Sequence, residues 1–377
     1  MINEKRLVES FMEMVQIDSL SKKEGKFKEY LQDKLAKLGL EVIEDKQSVA
    51  HTGSDAGNLI GRLKGNLAEV TPLLFGAHMD TVVPGCGIKP VIKDGVICSS
   101  GDTILGADDK AAIAALLEAL LVLKETKAPH GDIEAVFTVG EEIGLVGAKH
   151  FDLSLLSAPG GYVLDAGGAP GTIINRGPAQ DVFTAVIHGR AAHAGINPET
   201  GVSAIQVAAR AIDRMKLLRV DPETTANIGM ISGGQATNIV TEKVTLDAEA
   251  RSLSVKKLEE QTRHMLECLK NTCEEFGARL EIKKERQYPA FFVEEHAVVV
   301  ETARKAALSL GLDVRVQSTG GGSDTHYFNE GGIHTVNLGI GMNKVHTTEE
   351  EIRIRDLVDL TRFIVAIIAE HSKQAKS

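Results

Sequence analysis

The segment Val70-Thr71-Pro72-Leu73-Leu74-Phe75-Gly76-Ala77-His78-Met79-Asp80-Thr81-Val82-Val83-Pro84-Gly85 decides the fold. Its apolar run, Leu73 to Ala77, is bounded by turn residues and reads as a buried strand. His78 and Asp80 stand at the carboxyl end of that run. Residues i and i+2 of an extended chain face the same way, so an imidazole and a carboxylate leave the strand end together. Such a pair suits a metal ion: one ring nitrogen binds it and the carboxylate orients the ring through the other.

Other strand ends carry the same chemistry. Ile133 to Val139 reads as a strand that runs into Gly140-Glu141-Glu142, and Tyr162-Val163-Leu164 as one that ends at Asp165. In open α/β sheets ligands bind beyond the carboxyl ends of the strands. Gly106-Ala107-Asp108-Asp109-Lys110 opens a long Ala/Leu helix, Ala111 to Glu125. An Asp at a helix start is also an ordinary cap, and that reading stays open for either residue. Near the other end of the chain, Val345-His346-Thr347 follows a strand and a Gly341-Met342-Asn343-Lys344 turn. Together His78, Asp108, Glu142, Asp165 and His346 make a mixed nitrogen and oxygen donor set without thiolate. That set suits Zn²⁺, with Co²⁺ or Mn²⁺ as substitutes. Five ligands exceed one tetrahedral catalytic site, so two ions sharing one carboxylate and one water fit better. Of the adjacent glutamates, one then binds metal and the other stays free as a base.

The remaining chain frames these residues. Asn3 to Leu40 reads as two helices around a turn. Val42-Ile43 and Leu59 to Leu63 read as strands, with loop at His51 to Asn58 between them. Val91 to Ile97 reads as a hairpin turning at Asp94-Gly95. From Asp181 to Arg286 the order is strand, helix (Gly201 to Leu218), strand, strand, helix (Lys256 to Phe276), strand. That is a ferredoxin-like βαββαβ unit. It interrupts an α/β pattern that resumes with a helix at Val298, strands at Val314 and Val336, and a terminal helix from Leu357 to Glu370. The expected fold class is α/β: a mostly parallel catalytic domain from residues 1–177 and 288–377, with 178–287 inserted. Gly320-Gly321-Gly322-Ser323-Asp324 lacks the lysine of a phosphate loop, and close backbone approach to a ligand is the better reading for Gly321.

Composition bounds the partners. A chain of 377 residues with net charge −10 and no tryptophan offers neither a phosphate-tracking surface nor base-stacking platforms, so nucleic acid is not expected. The longest apolar stretch, Ala111 to Leu123, is broken by Glu118 and too short to span a bilayer. The first residues lack a signal-peptide core, and the four cysteines form no C-x-x-C pair. A cytoplasmic protein with reduced thiols is the expectation. Lys373 and Lys376 read as a solvated tail.

The segments Gly76 to Thr81, Gly106 to Ala111, Gly140-Glu141-Glu142-Ile143-Gly144, Leu164-Asp165 and Val345-His346-Thr347 resemble the motif set of the M20 family of co-catalytic metallopeptidases. Within that family the likeness is to peptidase T-like aminotripeptidases, and it spans nearly the whole chain. The resemblance implies a zinc-exopeptidase-type α/β/α domain holding two Zn²⁺, bridged by Asp108 and not Asp109, with Glu141 as general base and Asp80 steadying His78. It implies that the inserted unit is a lid and dimerisation domain, and it allows a homodimer through that unit. His193, in Gly189-Arg190-Ala191-Ala192-His193-Ala194-Gly195, would reach the substrate carbonyl. Asn238 and Arg251 match positions that hold the substrate's carboxylate end. The expected substrate is a short peptide, most simply a tripeptide losing its amino-terminal residue. A carboxypeptidase, dipeptidase or N-acyl-amino-acid deacylase of the same design is the alternative, and a metal-dependent binding protein without turnover a more distant one. The stretch between His78 and Asp108 looks shorter than in peptidase T, which touches the amine end of the pocket.

Overall fold

The computed structural model describes residues 1–376, and side chains through residue 374. Lys373 is exposed, and the side chain of Lys376 lies outside the described residues. The chain divides into two compact units, Met1–Arg176 with Phe291–Ser377, and Gly177–Ala290.

The first unit is built on a nine-stranded mixed sheet. Leu73–His78 is buried along its whole length and lies between Ile133–Thr138 and Gly160–Ala166, parallel to both. His334–Gly339 extends the parallel set beyond Gly160–Ala166. Strands covered on both faces read as continuous apolar runs, which is how Leu73 to Ala77 reads. Helix Ala107–Thr126 is buried nearly all round, Lys110 and Glu118 included. A helix without a polar face belongs inside a fold, and this one packs against Glu4–Val15 and Ile354–His371. The buried Glu118 carboxylate is paid for by Arg6, at 2.7 and 2.9 Å, and by the Asn3 N–H at 3.0 Å. A separate antiparallel sheet joins the hairpin Pro90–Lys93 and Val96–Ser99 to Glu351–Arg353 and Met342–Asn343. Its register sets Cys98 opposite Glu351. The segment leading to Asp108 and the segment carrying His346 therefore leave the same end of one small sheet.

Several elements differ from the sequence reading. Lys46–Thr52 is a helix, and it takes in His51 and Thr52 from the expected loop. The Asp45 carboxylate caps it by accepting from the Gln47 and Ser48 N–H groups, and Gly53 ends it at φ 67°. Thr172–Gly177 is a strand, Thr325–Glu330 a short helix, and the helix expected to reach Leu218 ends at Asp213, with Leu218–Asp221 a strand. These are short pieces whose partners lie far away in sequence, so local pattern carries little of their signal.

The second unit is a five-stranded antiparallel sheet in the order Leu218–Asp221, Thr224–Gly233, Lys243–Ser252, Ala179–His188, Arg279–Tyr288. Without the short first strand this is the ferredoxin-like order. Lys243–Ser252 alternates buried and half-exposed residues, as a strand with one face under helices must. Ala204–Asp213 and Val255–Phe276 cover that face.

Phe75 is fully buried on the central strand, its ring 5.5 Å from that of Tyr162. Phe75→Ala should cost about 3–5 kcal/mol of stability, read as a lowered urea midpoint.

Candidate metal centre

The parallel strands bring their carboxyl ends together, and the expected residues of the first unit meet there. His78 is 1% exposed. Its Nδ1 lies 3.0 Å from the backbone oxygen of Asp80 and 3.4 Å from that residue's Oδ1. Both neighbours accept, so Nδ1 carries a hydrogen, and Nε2 is the nitrogen that would face a metal ion. That Nε2 sits 3.0 Å from Asp108 Oδ1 and 3.9 Å from Asp165 Oδ1. On the other side of Asp108, Oδ2 lies 3.4 Å from His346 Nε2, which is 2.9 Å from Glu142 Oε1. Donor atoms of His78, Asp108 and Asp165 thus lie within 4.8 Å of one another, and so do those of Asp108, Glu142 and His346. The two groups share one residue, Asp108, whose two oxygens face opposite imidazoles. Neither Asp108 nor Asp109 caps its helix; the N-cap position is Gly106, without a side-chain bond.

The electrostatics agree with a cation-binding role for this donor set. Burial opposes charge on His78, but Asp108 and Asp80 outweigh it and hold the ring well above its usual range. Burial likewise opposes charge on Asp108, and the contacts with His346 and His78 overcome it and draw the carboxyl down. Burial and the charge of Asp108 push Asp165 well up, and burial and the charge of Asp165 do the same to Glu141. Negative charge exceeds what two imidazolium rings can balance. A nitrogen and oxygen donor set with surplus carboxylate fits a divalent metal pair.

The strand that carries the adjacent glutamates is gripped at four successive N–H groups. Val139 donates to Asn58 at 3.1 Å and Gly140 to Glu24 at 3.0 Å. Glu141 donates to Asp80 Oδ1 at 3.0 Å and Glu142 to Asp80 Oδ2 at 3.2 Å. Asp80 therefore orients both the His78 ring and the turn bearing Glu141. Asn337 brackets Asp165, accepting its N–H at 2.9 Å and donating to its carbonyl at 3.1 Å. Asp109 accepts the His78 N–H at 3.0 Å. Asp324 accepts from Thr138 at 2.5 Å, and burial lifts its carboxyl to about 6. The sequence reading passed over Glu24, Asn58, Asn337 and Asp324 as site residues. Only Asp324, beside the glycine loop, stood in a segment already singled out.

Within that loop the Gly321 N–H donates to Thr319 Oγ1 at 3.1 Å. A Cβ there would make only an ordinary 3.7 Å contact, so nothing within the chain demands glycine at 321. In the second unit, His193 and Asn238 lie on neighbouring loops: Ala194 donates to the Asn238 carbonyl at 2.9 Å, and His193 bridges to Ile239. Both are exposed. Arg251 stands near the far end of Lys243–Ser252, its fork on the two oxygens of Glu249 at 3.0 Å each.

The His346 contacts with Asp108 and Glu142 raise its ring from 6.5 to about 10. A raised histidine stabilises the fold fully below its unfolded pKa and loses that contribution as pH climbs to the folded one. In chelator-treated protein, the stability gap between the parent chain and His346→Gln should close from pH 6.5 to about 10, as read from urea unfolding across that range.

The model of peptidase family M20/M25/M40 matches residues 74–370. A Bacillus subtilis (strain 168) relative, called uncharacterized protein YqjE, is 47% identical over 373 residues, covering 99% of this chain and 100% of its own. Among solved structures, aminopeptidase PepT of Bacillus cereus is 48% identical with TM-score 0.91, covering 98% of this chain and 99% of its own. A tripeptidase of Staphylococcus aureus is 45% identical with TM-score 0.96, covering 99% and 100%. A match over most of the chain, together with the carboxylate-rich centre, makes the conclusion direct: the chain belongs to peptidase family M20/M25/M40 and is a metallopeptidase.

Proposed function

We propose that this chain is an exopeptidase that releases the amino-terminal residue of tripeptides, with two Zn²⁺ held by His78, Asp108 and Asp165 on one side and Asp108, Glu142 and His346 on the other. The observation that carries the reading is Asp108, each of whose oxygens faces a different imidazole. The aminopeptidase and tripeptidase names of the two similar structures support the substrate class. When bound, such a pair of ions supplies Lewis-acid polarisation of a carbonyl and acidifies water.

The chain's own residues supply the rest. Glu141 is 9% exposed; its carboxylate groups with His78 and Glu142 but not with Asp108, and it is proposed to stay off the metal pair. Its raised proton affinity suits a base that takes a proton from attacking water and returns it to the leaving amine. Asp80 holds the backbone of Glu141 and so aims that carboxylate. His193 is proposed to steady the charge developing on the carbonyl oxygen, with Asn238 and Gly321 as further substrate contacts. Arg251, whose fork is on Glu249 in this structure, is proposed to turn that planar fork to the substrate's carboxylate.

A homodimer through the inserted unit belongs to the proposal. Glu242, which accepts from Gly189 beside the His193 loop, is nine residues before Arg251. That is roughly 30 Å of strand, whereas an extended tripeptide spans at most about 11 Å. His193 and Arg251 of one copy then serve different substrates. The outer edge of Thr224–Gly233 pairs with Leu218–Asp221 only through Ala226. Beyond it Met230 and Ile231 are 63% and 56% exposed, apolar groups suited to a second copy.

Zinc-loaded protein should release free alanine from Ala-Ala-Ala and leave N-acetyl-Ala-Ala-Ala intact; equal cleavage of both would remove the aminopeptidase reading. Glu141→Gln should lower kcat about 10²–10⁴-fold with metal content unchanged. Mixing His193→Ala with Glu141→Gln should regain activity through mixed dimers, and the absence of complementation would show that each copy works alone.

A further inference from the structure

Asp108 begins a buried helix, yet its carboxylate is free to face two imidazoles. The reason lies 242 residues further along. Glu350 is 1% exposed. Its Oε2 accepts the Leu105 and Gly106 N–H groups at 2.8 Å each, and its Oε1 accepts the Asp108 N–H at 3.0 Å. These donors belong to the turn that leads into Ala107–Thr126, where Asp108 and Asp109 still have non-helical backbone angles, so a single carboxylate fixes the backbone of that turn.

Glu350 also belongs to the loop that carries His346; its own N–H donates to the Thr347 carbonyl at 3.1 Å. One carboxylate therefore staples the turn bearing Asp108 to the loop bearing His346. His346 needs such a tie. Its side chain is 51% exposed and its backbone takes φ 63°. His78 and Asp165 instead stand on strands inside the sheet.

We propose that Glu350 is a positioning residue that sets the second half of the metal pair, Asp108, Glu142 and His346, while His78 and Asp165, fixed by the sheet, keep the first half's ion even when the turn of Asp108 is loosened. The inference rests on the two-ion reading above. Glu350→Gln keeps size and one acceptor but turns an N–H₂ toward the Asp108 N–H. Outer partners of metal ligands typically change affinity about 10- to 100-fold. Zinc titrated into chelator-treated Glu350→Gln should show one ion bound as in the parent and the other weakened by that factor. Cobalt(II) spectra taken in parallel should show the second band set filling late. Two equally tight ions in the variant would overturn the proposal, and so would equal weakening of both with a lowered metal-free melting temperature. A parent chain that itself binds one ion would instead overturn the two-ion reading, taking this inference with it. Hydrogen exchange on the parent chain needs no variant. The Leu105, Gly106 and Asp108 amides should be protected before metal is added, and protection only after metal would overturn the proposal.

Discussion

Like charges brought out of water repel, and the whole first unit is arranged around managing that repulsion. Asp108, Glu141, Glu142 and Asp165 converge where parallel strands end, with Asp80, Asp109 and Asp324 close behind them. No single contact neutralises this crowd. His78 and His346 offset part of it, and backbone N–H groups offset more: Asp80 takes two, Asp109 one and Glu350 three. What is left over is an electrostatic demand for cations; burial first, and then the neighbouring carboxylates, hold Asp165 and Glu141 well above their ordinary proton affinity.

The division of labour among the acids follows from where each is rooted. Residues on strand ends, His78 and Asp165, inherit the rigidity of the sheet. Residues on turns need outside support, and each turn has its own. The turn with Glu141 and Glu142 hangs from Asn58, Glu24 and Asp80. A base must be aimed as well as tuned, and fixing four successive amides does the aiming.

Much of this was legible from the sequence, and for a physical reason. Buried parallel strands are continuous apolar runs, so Leu73–His78, Ile133–Thr138 and Gly160–Ala166 stand out, and with them the polar residues at their ends. The inserted unit was legible because its helices are amphipathic and its strands alternate. What escaped was support at long range. Glu24, Asn337 and Glu350 act on partners 116, 172 and 242–245 residues away, and no local periodicity marks such pairs. The helix after Asp45 was missed although its cap and its terminal Gly53 were both in view. Gly321 stood out by composition, yet the folded chain gives glycine no steric necessity there.

The strand order of the large sheet has a bearing on how the molecule comes into being. His334–Gly339 slots between Gly160–Ala166 and Thr172–Gly177, so the sheet stays open at that place until residues 334–339 have left the ribosome. The insert, with contiguous strands and its own core, ends at Ala290 and can fold before His334–Gly339 of the surrounding platform has been made. Throughout that interval the acidic strand ends are present without His346, and a nascent chain cannot close both halves of its charged centre until residue 346 has been made.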